Sequence, residues 1–272
     1  MNRCNLFWAG LIAGCVGVSS TQADERRFTY TYEPETLPAG AFEVENWITL
    51  RTQRSKAAGR DNFNRWDLRQ ELEYGVSDRY TTALYLNERA DSYRDPATGV
   101  NESDFEWKGV SWENRFNVLN PAAHKVGLTL YLEGRYSGEE AEIEQKIILG
   151  QRHGAWKWAL NLEHATEWED NLRETEGEFG ASLGVARDLG KHWALGLECR
   201  NQTLMPAYRQ VESTALFLGP TLSYRHEKWW AALTVLPQVR GWNFDGNPDG
   251  DRNFDLAHQE RLQVRLLMGF NF

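Results

Sequence analysis

No apolar run after residue 18 approaches the roughly 20 residues that a membrane-spanning helix needs, and mean hydropathy is −0.61. That excludes a helical membrane protein. Cysteine is nearly missing. Of three in 272 residues, Cys4 and Cys15 fall at the very start, so Cys199 stands alone and no internal disulfide framework holds the fold. A basic excess is missing too: 30 Lys+Arg against 39 Asp+Glu give a net charge of −9, where a nucleic-acid binder needs a basic face. Proline is scarce, at eight residues. What is plentiful is aromatic. With 12 Trp, 10 Tyr and 12 Phe the chain is too rich in rings to be disordered. A sequence that is polar on average yet loaded with Trp and Tyr fits a membrane β-barrel, because only every second strand residue faces lipid.

The first residues read as an export signal. Arg3 gives a positive start, Leu6 to Val18 an apolar stretch, and Thr21 and Ala23 the small residues of a cleavage site before Asp24. The stretch is about 13 residues, too short to span a bilayer. Within it, Ile12-Ala-Gly-Cys15 resembles a bacterial lipobox, which would make Cys15 a lipidated alternative to cleavage. The expected organisation is a signal peptide over 1–23, an N-terminal segment over 24–40, and a barrel over 41–272.

The remainder is dominated by period-two alternation. In the last stretch Leu262, Val264, Leu266, Met268, Phe270 and Phe272 alternate with Arg261, Gln263, Arg265, Leu267, Gly269 and Asn271. Similar two-faced segments recur, and together they predict twelve strands near 41–53, 64–76, 80–90, 106–118, 126–137, 141–150, 155–167, 176–187, 192–203, 213–225, 228–240 and 258–272. Most are far longer than the roughly 5–6 residues of a soluble strand. Tight turns such as Ser77-Asp-Arg79 and Gln151-Arg-His-Gly154 alternate with mostly longer polar links, such as 91–105 and 241–257. That predicts an all-β, single antiparallel up-and-down transmembrane barrel with short periplasmic turns and longer extracellular loops. Tyr74, Tyr80, Trp156, Trp193, Trp229, Trp230 and Phe270 are expected to form an aromatic girdle at the turn side, and Trp66, Trp107, Trp168, Tyr208 and Trp242 one at the loop side.

The ending Leu266-Leu-Met-Gly-Phe-Asn-Phe272 resembles the C-terminal insertion signal of bacterial outer-membrane proteins, with Phe270 and Phe272 as its aromatic residues. The stretch Tyr32-Glu-Pro-Glu-Thr-Leu-Pro-Ala-Gly-Ala-Phe-Glu-Val-Glu-Asn-Trp47 resembles the opening of a family of uncharacterised Gram-negative outer-membrane barrels. That family is related to outer-membrane proteins carrying a phenol-degradation (MetA) pathway label. Glu73-Tyr-Gly-Val-Ser-Asp-Arg-Tyr80 and Leu218-Gly-Pro-Thr-Leu-Ser-Tyr-Arg225 are similar to hairpins of the same group. The resemblance spans nearly the whole exported chain. It implies an outer-membrane location, contact with outer-membrane lipid and lipopolysaccharide, and insertion by the barrel-assembly machinery through the last strand. It implies no activity and no site.

Turning the apolar faces to lipid sends charge inward: Glu43, Glu45, Asp67, Arg69, Glu71, Glu73, Glu113, Arg115, Glu133, Arg135, Glu142, Glu144, Lys146, Glu163, Glu178, Glu198, Arg200, Arg261 and Arg265. Opposite charges on adjacent strands lie about 5 Å apart and can pair. The recurring Glu-x-Arg of Glu113/Arg115, Glu133/Arg135 and Glu198/Arg200 keeps both signs on one face. Two readings stay open: a passive channel for small polar or aromatic solutes, or a static ion-pair lattice filling a barrel that works through its loops. Residues 24–40, with Phe28, Tyr30 and Tyr32 in alternation, could plug the lumen, extend a strand, or hang free. The loop Asp245-Gly-Asn247-Pro-Asp249-Gly-Asp251 matches the first half of a calcium loop, with Leu256 where the bidentate Glu belongs. Calcium there is the only cofactor considered. An outer-membrane lipid hydrolase is a further alternative, but no Ser adjoins a His, and His164 suits a lipid edge. The expectation is a non-enzyme. Cys199 reads as an apolar lipid-facing residue.

Overall fold

The computed structural model describes residues 25–54, 61–246 and 253–272. Twelve strands follow in chain order: β1 (Phe42–Thr52), β2 (Asp61–Ser77), β3 (Tyr80–Arg94), β4 (Asn101–Leu119), β5 (Gly127–Tyr136), β6 (Ala141–His153), β7 (Trp156–Glu169), β8 (Glu174–Leu189), β9 (Trp193–Pro206), β10 (Ser213–Arg225), β11 (Trp229–Asn243) and β12 (Leu262–Asn271). Each pairs antiparallel with its sequence neighbours, and β12 closes onto β1 in a continuous register from Glu43↔Asn271 to Thr52↔Leu262. Closure leaves no strand edge. In hydrocarbon that is obligatory, because an unpaired backbone N–H or C=O has no water to bond.

The alternation sorts the side chains as the pattern requires. Leu72, Leu84, Leu86, Trp112, Leu132, Leu162 and Leu197 stand exposed on the outside. Their neighbours along the same strands, in the other phase, among them Glu71, Glu73, Glu113 and Glu198, are buried inside. An apolar band on the outer wall of a closed barrel is the surface of a membrane-spanning protein.

Three details depart from expectation. The link 91–105 is mostly strand: β3 runs to Arg94 and β4 starts at Asn101. There Arg65 of β2 forks onto Asp91 of β3 at 2.7 and 2.8 Å. Both faces of this extension meet water, so the hydrophobic pattern is silent while the backbone ladder continues. The β5–β6 and β7–β8 connections at the loop rim are short, covering only 137–140 and 170–173, whereas the β4–β5 connection at the turn rim covers 120–126. Trp230 is not a girdle residue. It is fully buried in the lumen, its indole N–H donating to Glu43 Oε1 at 2.5 Å, while Trp156, Trp193, Trp229 and Phe270 stay on the outer surface. Two adjacent Trp on a strand must face opposite ways, so only one of Trp229 and Trp230 can reach lipid.

Replacing the outward Leu86 with Arg should cost about 2–4 kcal/mol of unfolding free energy in liposomes if it lies near mid-bilayer. Denaturant titration of the refolded barrel measures it, and no loss would place Leu86 outside the apolar layer.

Candidate functional site

The lumen is occupied at its turn-rim end by the N-terminal segment, residues 25–40. Phe28, Thr29, Tyr30, Thr31, Tyr32 and Leu37 are all buried. Few of these residues have a strand partner, so the wall supplies their hydrogen bonds. The carboxylate of Glu198 on β9 accepts the backbone N–H groups of Thr29, Tyr30 and Thr31 at 3.0, 2.9 and 2.8 Å. Thr234 of β11 donates to the same carboxylate at 2.5 Å. Asn161 of β7 exchanges two bonds with Tyr32, accepting its N–H at 2.6 Å and donating to its C=O at 2.9 Å. The carbonyl of Pro34 then accepts from Asn117 at 2.7 Å and Thr129 at 2.5 Å, and Leu37 N–H donates to Thr81 at 2.9 Å. The segment thus crosses the bore from β9 to β3 before entering β1.

Glycines in the wall make room for it. A Cβ on Gly184 would stand 2.6 Å from the Phe28 ring, and Cβ atoms on Gly150 and Gly127 would stand 2.8 and 2.9 Å from Pro34.

Beneath and beside the segment the wall is acidic. The carboxylates of Glu45, Glu71 and Glu73 lie within 4.8 Å of one another, and all three side chains are buried. Trp47 Nε1–H donates to Glu45 at 2.9 Å and Glu71 at 3.0 Å. Arg115 pairs with Glu73 and with Glu113, the latter at 2.9 Å. Arg26 of the N-terminal segment reaches Glu45 at 3.7 Å and lies over the Tyr32 and Trp47 rings, 4.2 and 4.8 Å from their centroids. The segment therefore brings part of the counter-charge for the acids it covers.

Above it lies a vestibule of about 190 Å³, floored by Tyr30, Tyr32 and Trp47 and walled by charge. Every charged residue named for the lumen from sequence lies on the inner wall, except Arg261, which immediately precedes β12 at the loop rim. The three Glu-x-Arg pairs have three different fates. Glu113 and Arg115 bond each other. Glu133 pairs with Arg69 of β2 at 2.5 Å, while Arg135 takes Glu142 at 2.8 Å, Glu167 at 3.0 Å and Glu140 at 3.2 Å. Glu198 holds the N-terminal backbone, and Arg200 reaches Glu163 only at 3.7 Å. The site residues that sequence reasoning missed are aromatic or neutral: Trp47 in the floor, Tyr85 and Tyr131 packed in one buried cluster with it, and Asn161 as an anchor. Their phase along the strands was the available signal.

At the loop rim, residues 253–261 fold inward, and Asp255, Gln259 and Glu260 are buried. Gln238 of β11 donates to the carbonyls of Asp255 and Glu260 at 2.9 and 3.2 Å, and Arg54 to that of Ala257 at 2.9 Å. Of the calcium residues proposed from sequence, Asn247, Asp249 and Asp251 lie outside the described residues. Asp245 is drawn to His258 instead, 3.2 Å from its Nε2, with Glu212 at 3.8 Å. Asp255 lies 3.2 Å from the other ring nitrogen. That hydrogen bond raises the His258 pKa above its ordinary value despite burial, with the Asp255, Glu212 and Asp245 charges adding to it. Burial pushes the Asp255 carboxyl up, but its hydrogen bond with His258 and the charge of that ring outweigh it and hold the group below its usual value. His164 stands at the outer edge, its Nε2 2.9 Å from the Tyr208 hydroxyl. Phe270 and Phe272 end the chain on the outer surface.

Residues 20–152 and 151–272 match the model of a family of unknown function, DUF6662. No curated protein matches the sequence. Among solved structures, the COG4313 outer membrane channel from Pseudomonas putida F1 is similar at TM-score 0.59 and 15% identity, covering 90% of this chain and 100% of that one. The KdgM porin, solved with disordered oligogalacturonate, aligns at TM-score 0.51 and 6% identity over 85% of this chain and 99% of its own. The NanC porin aligns at 0.51 and 8% over 85% and 100%. At these identities the likeness is one of fold. The phenol-degradation (MetA) kinship suggested by the opening segment has no counterpart in these matches.

Two outcomes are expected. Glu198→Ala strips three buried N–H groups of their acceptor and should cost about 3 kcal/mol, with faster hydrogen exchange confined to residues 28–32. Exchange spread evenly over the barrel would show that Glu198 is no local anchor. The His258 clamp is present in full below the ordinary histidine pKa and is lost as pH rises through the raised one; the Asp255 contribution is lost only as pH falls through its lowered pKa. Protection of residues 253–261, corrected for intrinsic exchange, should therefore fall on the alkaline side, and this pH dependence should vanish in His258→Gln.

Proposed function

Because the chain belongs to the DUF6662 family, a family of unknown function, its kinship carries no activity, and we propose one from the lumen itself. The protein is a passive outer-membrane channel for small polar or aromatic solutes, constricted by its own N-terminal segment. It acts without enzymatic chemistry. The observation that carries the reading is the stacking of a solvent-sized charged vestibule directly on a floor made largely of residues 25–40. A barrel intended only as a strut has no need of a cavity with an aromatic floor. The wall also offers hydrogen-bonding and charged groups on every side, so a polar solute exchanging water for wall loses little.

On this reading the chain is exported to the outer membrane of a Gram-negative envelope. Its outer band meets lipid and lipopolysaccharide, and the assembly machinery engages the last strand through Phe270 and Phe272. The filled lower bore favours one competing reading, a plugged barrel that acts through its loops.

Single-channel current in planar bilayers separates them, with folding verified by heat-modified gel migration. The intact protein should give small regular steps. A variant lacking residues 24–40 should give steps at least about twofold larger, since that segment fills the turn-rim end of the bore. It should also turn cation-selective, because Glu45 loses Arg26 and the acidic cluster of Glu45, Glu71 and Glu73 is uncovered. Silence from both folded proteins would sink the channel and leave the strut.

A further inference from the structure

Among the described residues, the cations lining the vestibule each have a carboxylate within 4 Å, and Arg265 is the exception. Arg265 of β12 lines the vestibule with no carboxylate within ion-pair distance among the described residues. Its Nε donates to Thr49 Oγ1 at 2.9 Å and its Nη1 to the Thr29 carbonyl at 3.2 Å, both neutral acceptors. Its Nη2 makes no hydrogen bond among the described residues. In the register its neighbours across both ladders are threonines, Thr49 on β1 and Thr234 on β11, so no cross-strand acid was placed to meet it. The guanidinium lies 3.9 Å from the Tyr30 ring centroid.

Arg200 approaches the same ring, at 5.5 Å. It is only loosely engaged: Glu163 stands at 3.7 Å and its Nη1 is buried with no hydrogen-bond partner. Two arginines thus converge on one tyrosine of the N-terminal segment, beside the Trp47 and Tyr32 rings. By contrast Arg69, Arg89, Arg135 and Lys146 each have a carboxylate within 2.8 Å.

Half-buried and facing the vestibule, Arg265 has a guanidinium edge open to a ligand, and an anion there would complete its charge. The guanidinium fork suits a carboxylate, with one edge tied to the wall and the other left for a ligand. The rings around it offer flat apolar area for a planar body.

We propose that Arg265 and Arg200, over the floor of Tyr30, Tyr32 and Trp47, form a recognition site for a small aromatic carboxylate in the vestibule. The proposal rests on the reading of the vestibule as the solute path and names the solute class. The carboxylate takes the free edge of Arg265 with help from Arg200. The ring lies against the aromatic floor. Neutral analogues leave the arginine charge unmet, so discrimination falls on the carboxylate.

The test is calorimetric titration of the folded, full-length barrel in detergent with benzoate, and with benzamide as its uncharged counterpart. Benzoate is expected to bind at least about tenfold more tightly than benzamide. Arg265→Gln should remove most of that preference, and Arg265→Lys, which keeps charge but not the fork, should fall between them. Arg152→Gln at the turn rim should behave as the parent. Equal affinity for benzoate and benzamide, or undiminished benzoate binding in folded Arg265→Gln, overturns the proposal. Current recorded on the same preparations keeps the two readings apart. Channel steps without benzoate preference refute the site alone, whereas benzoate binding in a silent barrel refutes permeation and keeps the site.

Discussion

The carboxylate of Glu198 receives three consecutive backbone N–H groups from a segment that would otherwise have few partners, and much of the lumen's character follows from that contact. A strand entering a barrel interior cannot pair with the wall by backbone, because the wall's backbone groups are already spent in the barrel ladders. Only side chains remain. Glu198, Asn161, Asn117, Thr129 and Thr81 supply them in turn, each aligned with the next piece of chain. The segment then fixes the rings of Phe28, Tyr30 and Tyr32 in the bore, and those rings set where the vestibule ends.

Charge inside the barrel is layered by the same segment. The lower wall is rich in glutamate, and Arg26 and Arg115 are the cations that reach it. Lys157, lower still, pairs with Glu33 and Glu35 of the segment itself, at 3.3 and 2.9 Å. Each side therefore contributes both signs, and the segment is matched to its seat electrostatically as well as by shape. Buried ion pairs add little net stability over well-packed apolar side chains, yet losing one partner is costly. A lattice of this kind favours one seated position over many near alternatives.

Much of the barrel was legible because a period of two leaves a plain mark in sequence: Leu84 and Leu86 must face away from Tyr85, whatever else happens. The strand count and the inward charges follow from that phase. The pattern is silent where both faces meet water, as in the upper β3–β4 hairpin, and where both faces carry rings. Trp229 and Trp230 looked alike, and only strand geometry separates a lipid-facing indole from one bonded to Glu43. The course of residues 25–40 was not legible at all. Its partners are more than a hundred residues away in sequence for Glu198 and Asn161, and no local periodicity encodes a contact made across a bore. The three Glu-x-Arg motifs likewise looked equivalent, because which strand answers each charge depends on the barrel's stagger rather than on the strand itself.

That stagger also explains why Arg265 differs from its neighbours. Across from Arg69 the curvature of the wall brings Glu133, and across from Arg135 it brings Glu142 and Glu167. Facing Arg265 it brings Tyr30, a residue of the inserted segment. A ring attracts a cation through its quadrupole but cannot neutralise it, so the charge persists where the segment narrows the bore. The residues facing it on both ladders, Thr49 and Thr234, are neutral and leave a positive spot in the wall of the vestibule. On the proposed channel reading, an uncompensated charge on the vestibule wall selects solutes by sign, since little water remains there to screen it.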